Sequence, residues 1–255
     1  MDADPTKRFS NRVADYVKYR PDYPREILSL LRNRIGLNNS WTIADIGSGT
    51  GISARMFLEH GNEVFAVEPN ADMRAAAEQS LGNEPRFHSL DGSAEQTTLA
   101  DSSIDLIVAA QAFHWFDLEK CKPEFIRILK PGGWCALIWN ERKSAGSSFL
   151  EAYDALLRKY SAEYMAVRHQ RIEAGQFDSF FAPYGFERAC FANQQLLDEE
   201  SLIGRCLSSS YAPAPGDTNH APLLEELGQI FDHNQSNGLV AFEYETEVYL
   251  GRLGR

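Results

Sequence analysis

Residues 44–54 read Ala44-Asp45-Ile46-Gly47-Ser48-Gly49-Thr50-Gly51-Ile52-Ser53-Ala54. Ahead of them the apolar run Trp41-Thr42-Ile43-Ala44 meets an aspartate, and behind the three alternating glycines a helical pattern runs from Ile52 to His60. That order spells a buried strand, a tight turn and a helix. Glycine is needed where backbone bends sharply or approaches a ligand with no side chain between them. The stretch therefore points to a small ligand lying across the end of a sheet, against bare backbone.

Two motif frames fit the glycines. Gly49-x-Gly51-x-x-Ala54 satisfies a dinucleotide-binding fingerprint. Asp45-x-Gly47-x-Gly49-x-Gly51 resembles the first motif of class I S-adenosylmethionine-dependent methyltransferases. Charge separates them. A pyrophosphate favours the N–H groups of a helix N-terminus, and a carboxylate at the turn repels it. The same carboxylate attracts the ammonium or sulfonium of S-adenosylmethionine. Asp45 tilts the reading that way, although an aspartate that merely caps the turn explains the residue as well.

Outward from the turn, Val64–Val67 is a second buried strand ending at Glu68, and Asn70 caps a helix over 71–81. Arg86–Leu90 is a weaker strand followed by Asp91-Gly92-Ser93-Ala94-Glu95. Ile104–Ala110 is a strong strand, Gln111–Asp117 its loop and Leu118–Leu129 a helix. Pro131-Gly132-Gly133 is a turn before a strand at Trp134–Trp139. This alternation predicts an α/β fold with a mostly parallel sheet and helices on both faces. Before it, residues 8–20 and 26–35 read as two helices. After Asn140 the rhythm breaks: helices are expected at 147–166, 201–207 and 223–231, and a strand at 185–191. Val240–Leu250 alternates as a half-exposed antiparallel strand near the sheet edge.

The chain has 255 residues and a formal net charge of −11, from 25 basic and 36 acidic residues. This balance argues against a nucleic-acid partner, since phosphates demand a basic surface, although Lys7, Arg8, Arg12, Lys18, Arg20 and Arg25 make the N-terminal segment locally basic. Cys121, Cys135, Cys190 and Cys206 are far apart, without zinc spacing, so neither a metal site nor a disulfide framework is expected. The N-terminus lacks a signal-peptide core and no apolar run spans a bilayer, so the expected location is cytoplasmic.

In an open parallel sheet ligands gather at the carboxyl ends of the strands. Those ends carry Asp45 with its glycines, Glu68, Asp91-Gly-Ser-Ala and Gln111. Glu68 stands 23 residues after Asp45, where an acid accepts from ribose hydroxyls in either motif frame. Asp91 can accept from an exocyclic amine, with small neighbours leaving room for a flat ring; an Asp-Gly turn accounts for it too. His114 can act as a general base near neutral pH, but its place between Phe113 and Trp115 equally suits a structural role.

Asp45-Ile-Gly-Ser-Gly-Thr-Gly51, Glu68-Pro69, Asp91-Gly-Ser-Ala-Glu95, Ile104–Gln111 and Leu129-Lys-Pro-Gly-Gly133 follow one another over roughly residues 40–140 as in class I methyltransferases. The segment from Phe9-Ser10 to Arg20-Pro21-Asp22-Tyr23-Pro24, and Gln111-Ala-Phe-His-Trp-Phe116, resemble the small-molecule branch that includes trans-aconitate methyltransferase-like and ubiquinone/menaquinone methyltransferase-like proteins. The resemblance implies a single Rossmann-like domain over 1–255 with a seven-stranded sheet. Residues 1–40 form an N-terminal helical cap, 41–140 the cofactor core, and 141–255 a helical lid insertion after the fifth strand together with the last two strands. It implies S-adenosyl-L-methionine as cofactor and S-adenosyl-L-homocysteine as product. Gly47, Gly49 and Gly51 would approach the methionine and ribose, with Asp45 near the amino group and Glu68 on the ribose. Asp91, Gly92, Ser93 and Ala94 would border the adenine and Gln111 the sulfonium side. Tyr16, Tyr19 and Arg20 would reach the cofactor carboxylate or an acidic substrate, and Ser208–Tyr211 could line the pocket. Phe177–Tyr184 and the helix before it would form the lid. The function expected is methyl transfer to a small molecule, set against a nicotinamide-dependent oxidoreductase and a non-catalytic sensor of the same cofactor.

Overall fold

The computed structural model describes residues 13–165 and 174–254. Lys7, Arg8, Phe9, Ser10 and Arg12, and the last residue of the helix expected at 147–166, lie outside the described residues. The strands are β1 (Thr42–Ile46), β2 (Glu63–Val67), β3 (Phe87–Leu90), β4 (Ile104–Ala110), β5 (Leu129–Arg142), β6 (Phe186–Leu197) and β7 (Val240–Gly251). They form a seven-stranded sheet in the order β3-β2-β1-β4-β5-β7-β6. The first five run parallel, and β7 lies antiparallel between β5 and β6. Val240–Leu250 is thus one strand in from the edge, and β6 is the edge.

Helices cover both faces, as the continuous apolar runs of β1 and β4 require. On one face α2 (Glu26–Ile35) and α3 (Ile52–His60) bring Ile27, Leu31, Ala54 and Phe57 onto Ile43, Val64, Leu106 and Val108. On the other, α5 (Leu118–Ile128) and α7 (Ala174–Phe181) bring Phe125, Ile128 and Phe181 onto Ala44, Ile46, Ile107 and Ala109. Neighbouring residues of β1 and β4 go to opposite faces, the period of two that a strand imposes. Helix α4 (Ala71–Leu81) follows β2, its first turn capped by Asn70 Oδ1, which accepts from the N–H groups of Asp72 and Met73.

Beyond the sheet, the ends of β6 and β7 carry a third apolar cluster. There α6 (Ser148–Tyr160), α8 (Glu199–Leu207) and α9 (His220–Asn234) enclose Val240, Phe242 and Tyr244. Helix α1 (Val13–Tyr19) packs on α8. A Cβ on Gly204 of α8 would lie 2.0 Å from Tyr19 Cε2, so only glycine admits this approach.

Two expectations are corrected. Pro131-Gly132-Gly133 is not a turn ahead of the strand. β5 already begins at Leu129, which pairs with Ile104, while Trp134 pairs with Leu106. The tripeptide is a bulge inside the strand, with Gly132 at φ +82°. The second correction concerns the lid. Phe177, Phe180 and Phe181 belong to the core against the sheet, where Phe177 stacks on Tyr249 at 4.1 Å and on Phe113 at 5.8 Å. Their aromatic density serves the fold. Phe177→Ala is therefore expected to lower unfolding free energy by about 3 kcal/mol, measured by denaturant titration. An unchanged midpoint would contradict the core placement.

Candidate functional site

Strand order reverses between β1 and β4, the place where a parallel sheet opens a crevice at its carboxyl ends. A cavity of about 1100 Å³, mouth included, lies there. The glycine turn is one side of it. The N–H groups of Gly47 and Ser48 donate to Val67 O at 2.8 and 3.2 Å, tying the turn to the end of β2. Gly47 and Gly49 are left-handed, at φ +68° and +56°. A Cβ on Gly47 would stand 2.6 Å from Ala112 Cβ, whereas one on Gly49 would meet nothing within 4 Å. Gly47 is glycine because protein presses against it. Gly49 faces open space in the cavity lining, and its missing side chain is room for a ligand.

Asp45, near the end of β1, is wholly buried. Its Oδ2 accepts from Ser53 Oγ at 2.7 Å, while Oδ1 is buried with no hydrogen-bond partner. Burial pushes its pKa up to about 7; the Ser53 hydroxyl and the Ala54 N–H pull it down, and Glu68 pushes it up further. Thr50 Oγ1 is a second buried atom without a partner at the same turn. A buried carboxyl with one free oxygen, next to another acid, fits a cationic group. Glu68 is fixed from both sides: Oε2 accepts from Gly49 N–H and Oε1 from Asn70 N–H, each at 2.9 Å. Burial raises its pKa and these two N–H groups draw it back. Each oxygen keeps lone-pair capacity for a neighbouring hydroxyl.

At the end of β4, Gln111 is a non-glycine residue at φ +56°, held by its N–H on Ile138 O and its side-chain Nε2 on Asn140 O, both at 2.9 Å. Strain of this kind is kept where the surroundings enforce it. Tyr16 and Tyr23 close the cavity from the cap, and Trp115 and Phe116 from the β4 loop. No lysine, arginine or histidine lines it among the described residues.

Of the residues singled out from sequence, Gly47, Gly49, Glu68, Ser93, Ala94 and Gln111 line this one cavity. Asp45 and Gly51 stand outside the lining, and a Cβ on Gly51 would lie 2.6 Å from Leu81 Cδ1. Asp91 is largely exposed and pairs with Arg74 at 2.9 Å, while Gly92 packs on Val67 and backbone. Tyr19 and Arg20 turn towards α8: the Tyr19 hydroxyl donates to Glu200 at 3.1 Å and Arg20 Nη2 donates to Ser208 O at 2.8 Å. His114 is exposed outside the lining, its ring tilted against Trp115 and Trp139. Ser208–Tyr211 also lies outside the lining. Tyr23 was missed as a lining residue, although Pro21 and Pro24 on either side of it fix an extended segment at the cap. Elsewhere, Cys190, Glu245 and Glu247 come together on β6 and β7. Glu247 is already engaged by Arg188 and the Tyr249 hydroxyl, as in a cross-strand charge cluster.

Residues 44–137 match the family described as "Methyltransferase domain". An uncharacterized methyltransferase of Schizosaccharomyces pombe is 34% identical over 250 residues, 95% of this chain and 96% of the relative. An uncharacterized methyltransferase of Mycobacterium bovis is 36% identical over 134 residues, 52% of each chain. Among solved structures, phosphoethanolamine N-methyltransferase 2 of Haemonchus contortus, in complex with S-adenosyl-L-methionine, shares the fold at a TM-score of 0.58 and 15% identity. That match covers 98% of this chain and 59% of the other.

Asp45 has a pH signature. Its folded pKa lies above the unfolded value, so the stability this group contributes is present below about pH 4 and is lost as pH rises through about 7. Asp45→Asn is accordingly expected to raise the melting temperature of the unliganded protein at pH 8 by about 3 °C or more, while weakening S-adenosylhomocysteine binding in calorimetry. A lowered melting temperature at pH 8 would contradict the burial argument. Gly49→Ala is expected to cost only about 1–2 kcal/mol of stability yet to weaken the same ligand at least about ten-fold. Unchanged affinity in Gly49→Ala would show that the ligand does not approach this backbone.

Proposed function

The chain belongs to the class I S-adenosylmethionine-dependent methyltransferases, and from that premise we propose that the strand-end cavity passes a methyl group to a small-molecule acceptor by direct displacement. The observation that carries this reading is the buried, half-satisfied Asp45 carboxyl behind the glycine turn, next to a cavity lined by Glu68 and by no cation among the described residues. When bound, the cofactor supplies an electrophilic methyl on a sulfonium. In such a displacement the acceptor's lone pair would take the methyl and the carbon–sulfur electron pair would stay with sulfur, giving S-adenosylhomocysteine as the product.

The residues hold the partners in place. Asp45 would balance the cofactor's ammonium, and the backbone at Gly47 and Gly49 would let the methionine and ribose lie close. Glu68 takes the ribose hydroxyls. Ser93 and Ala94 would border the adenine, with Met73 in the same lining and Asp91 and Gly92 outside it. Gln111 borders the reacting end, and Tyr16 and Tyr23 close over it. Orienting the acceptor in line with the methyl is the main catalytic task. A neutral acceptor that must lose a proton would use His114; an ionised one needs no base. We read 1–255 as one domain, with 41–140 holding the cofactor and the cap and C-terminal part holding the acceptor. Among the described residues no helix is long and apolar enough to cross a membrane. The free thiols of the four cysteines favour a cytoplasmic setting.

Two measurements test this. S-adenosylhomocysteine should stabilise the protein in a thermal-shift assay where NAD does not, and a labelled methyl should pass from S-adenosylmethionine into a low-molecular-weight fraction of a metabolite extract. Stabilisation by NAD alone would make the oxidoreductase reading the better one. Cofactor binding without transfer to any fraction would favour a sensor.

A further inference from the structure

At the seam between α1 and α8, two arginines are brought together without a carboxylate. Arg20 follows α1 directly, and Arg205 lies in the α8 helix that Gly204 lets α1 approach so closely. Arg205 is only 5% exposed. Its Nε donates to the Tyr244 hydroxyl at 2.9 Å and its Nη1 to Ser209 Oγ at 3.2 Å. The Tyr244 hydroxyl in turn donates to Gln195 Oε1 at 2.8 Å, so the guanidinium is clamped by neutral groups. Arg20 lies over the Tyr16 ring, 4.6 Å from its centroid, and donates once, from Nη2 to Ser208 O. Its Nε is buried with no partner. Burial, and then the like charge of Arg205, push the Arg20 guanidinium below its ordinary pKa.

Neither arginine forms an ion pair among the described residues. Elsewhere the ordinary rule holds: the half-buried Arg142 is 3.0 Å from Asp154. A buried charge is costly unless it is paired, and two adjacent like charges cost more. Guanidiniums held in place with N–H donors to spare are built to take a planar or tetrahedral oxyanion by paired hydrogen bonds. The seam also adjoins the methyl-transfer cavity, because Tyr16, on whose ring Arg20 stacks, lines that cavity.

We propose that Arg20 and Arg205 bind an anionic group, a carboxylate or phosphate, on the methyl acceptor. The inference rests on the methyltransferase reading above and names its substrate class: a small organic anion. An oxygen gripped by two guanidiniums is a poor nucleophile, so the anchored anion is a handle and the methyl goes to another atom of the acceptor. Arg205 belongs to a helix outside residues 44–137, which match the methyltransferase domain. Arg205 thus lies in the C-terminal part that the reading above gives to the acceptor.

The test uses the whole chain saturated with S-adenosylhomocysteine and titrated with malonate and with inorganic phosphate in a calorimeter. At least one of the two anions is expected to bind the wild-type complex. Arg205→Met should weaken it at least about ten-fold, with S-adenosylhomocysteine affinity within about two-fold of wild type. Should Arg205→Met fail to fold, Arg205→Lys and Arg20→Gln carry the same expectation, with circular dichroism confirming their fold. No anion binding to the wild-type complex, or binding indifferent to these substitutions, overturns the proposal. So does a ten-fold loss of S-adenosylhomocysteine affinity in the Arg205 variants, which would give the pair to the cofactor carboxylate. If S-adenosylhomocysteine does not bind the wild-type chain at all, the methyltransferase reading itself fails, and this one with it.

Discussion

One buried carboxyl group organises this molecule. Asp45 lies near the end of an apolar strand that packing requires on both faces, and it cannot leave the interior without dismantling the centre of the sheet. Only the Ser53 hydroxyl and the Ala54 N–H soften its burial, and one of its oxygens has no partner. Such a group destabilises the unliganded fold and is tolerated where a ligand completes it. The glycine turn, the fixed Glu68 and the strained Gln111 all stand around the space where that ligand belongs.

The two halves of the chain divide the work by topology. The parallel strands β1 to β4 place their carboxyl ends, and hence their acids and glycines, at one crevice. The antiparallel pair β6–β7 runs past the sheet and supports helices that no parallel strand could reach. On that platform α8 meets α1, and the two arginines come together. The wall of the strand-end cavity carries acids and the cap seam carries cations, so charge is polarised across this end of the sheet despite the overall acidity.

What was legible in the sequence was local. A strand, a glycine turn and a helix are consecutive, so the positions of Asp45, Gly47, Gly49 and Glu68 followed from spacing alone, and the Asn70 cap followed from its residue type. The parallel core followed from alternation of elements. Features built from distant segments were not legible. Arg205 meets Arg20 only after the whole sheet is laid down between them, and Tyr19 faces α8 because a glycine there admits its ring. The aromatics at 177–181 have no period that tells core from lid; the stacking of Phe177 on Tyr249 decides it. Pro131-Gly132-Gly133 has the composition of a turn, and only pairing with β4 makes it a bulge. Asp91 carries the chemistry of an adenine ligand, but Arg74 holds it at the surface.

The central claim is that a cationic ligand completes Asp45. The most direct measurement is calorimetry of S-adenosylhomocysteine binding at pH 6.5 in two buffers of different ionisation enthalpy. Asp45 is largely protonated there when unliganded and must ionise against the ligand's ammonium. Binding is predicted to release a substantial fraction of a proton, an effect that fades above about pH 8 and is absent in Asp45→Asn. Proton uptake, or binding with no buffer dependence at pH 6.5, would contradict the claim.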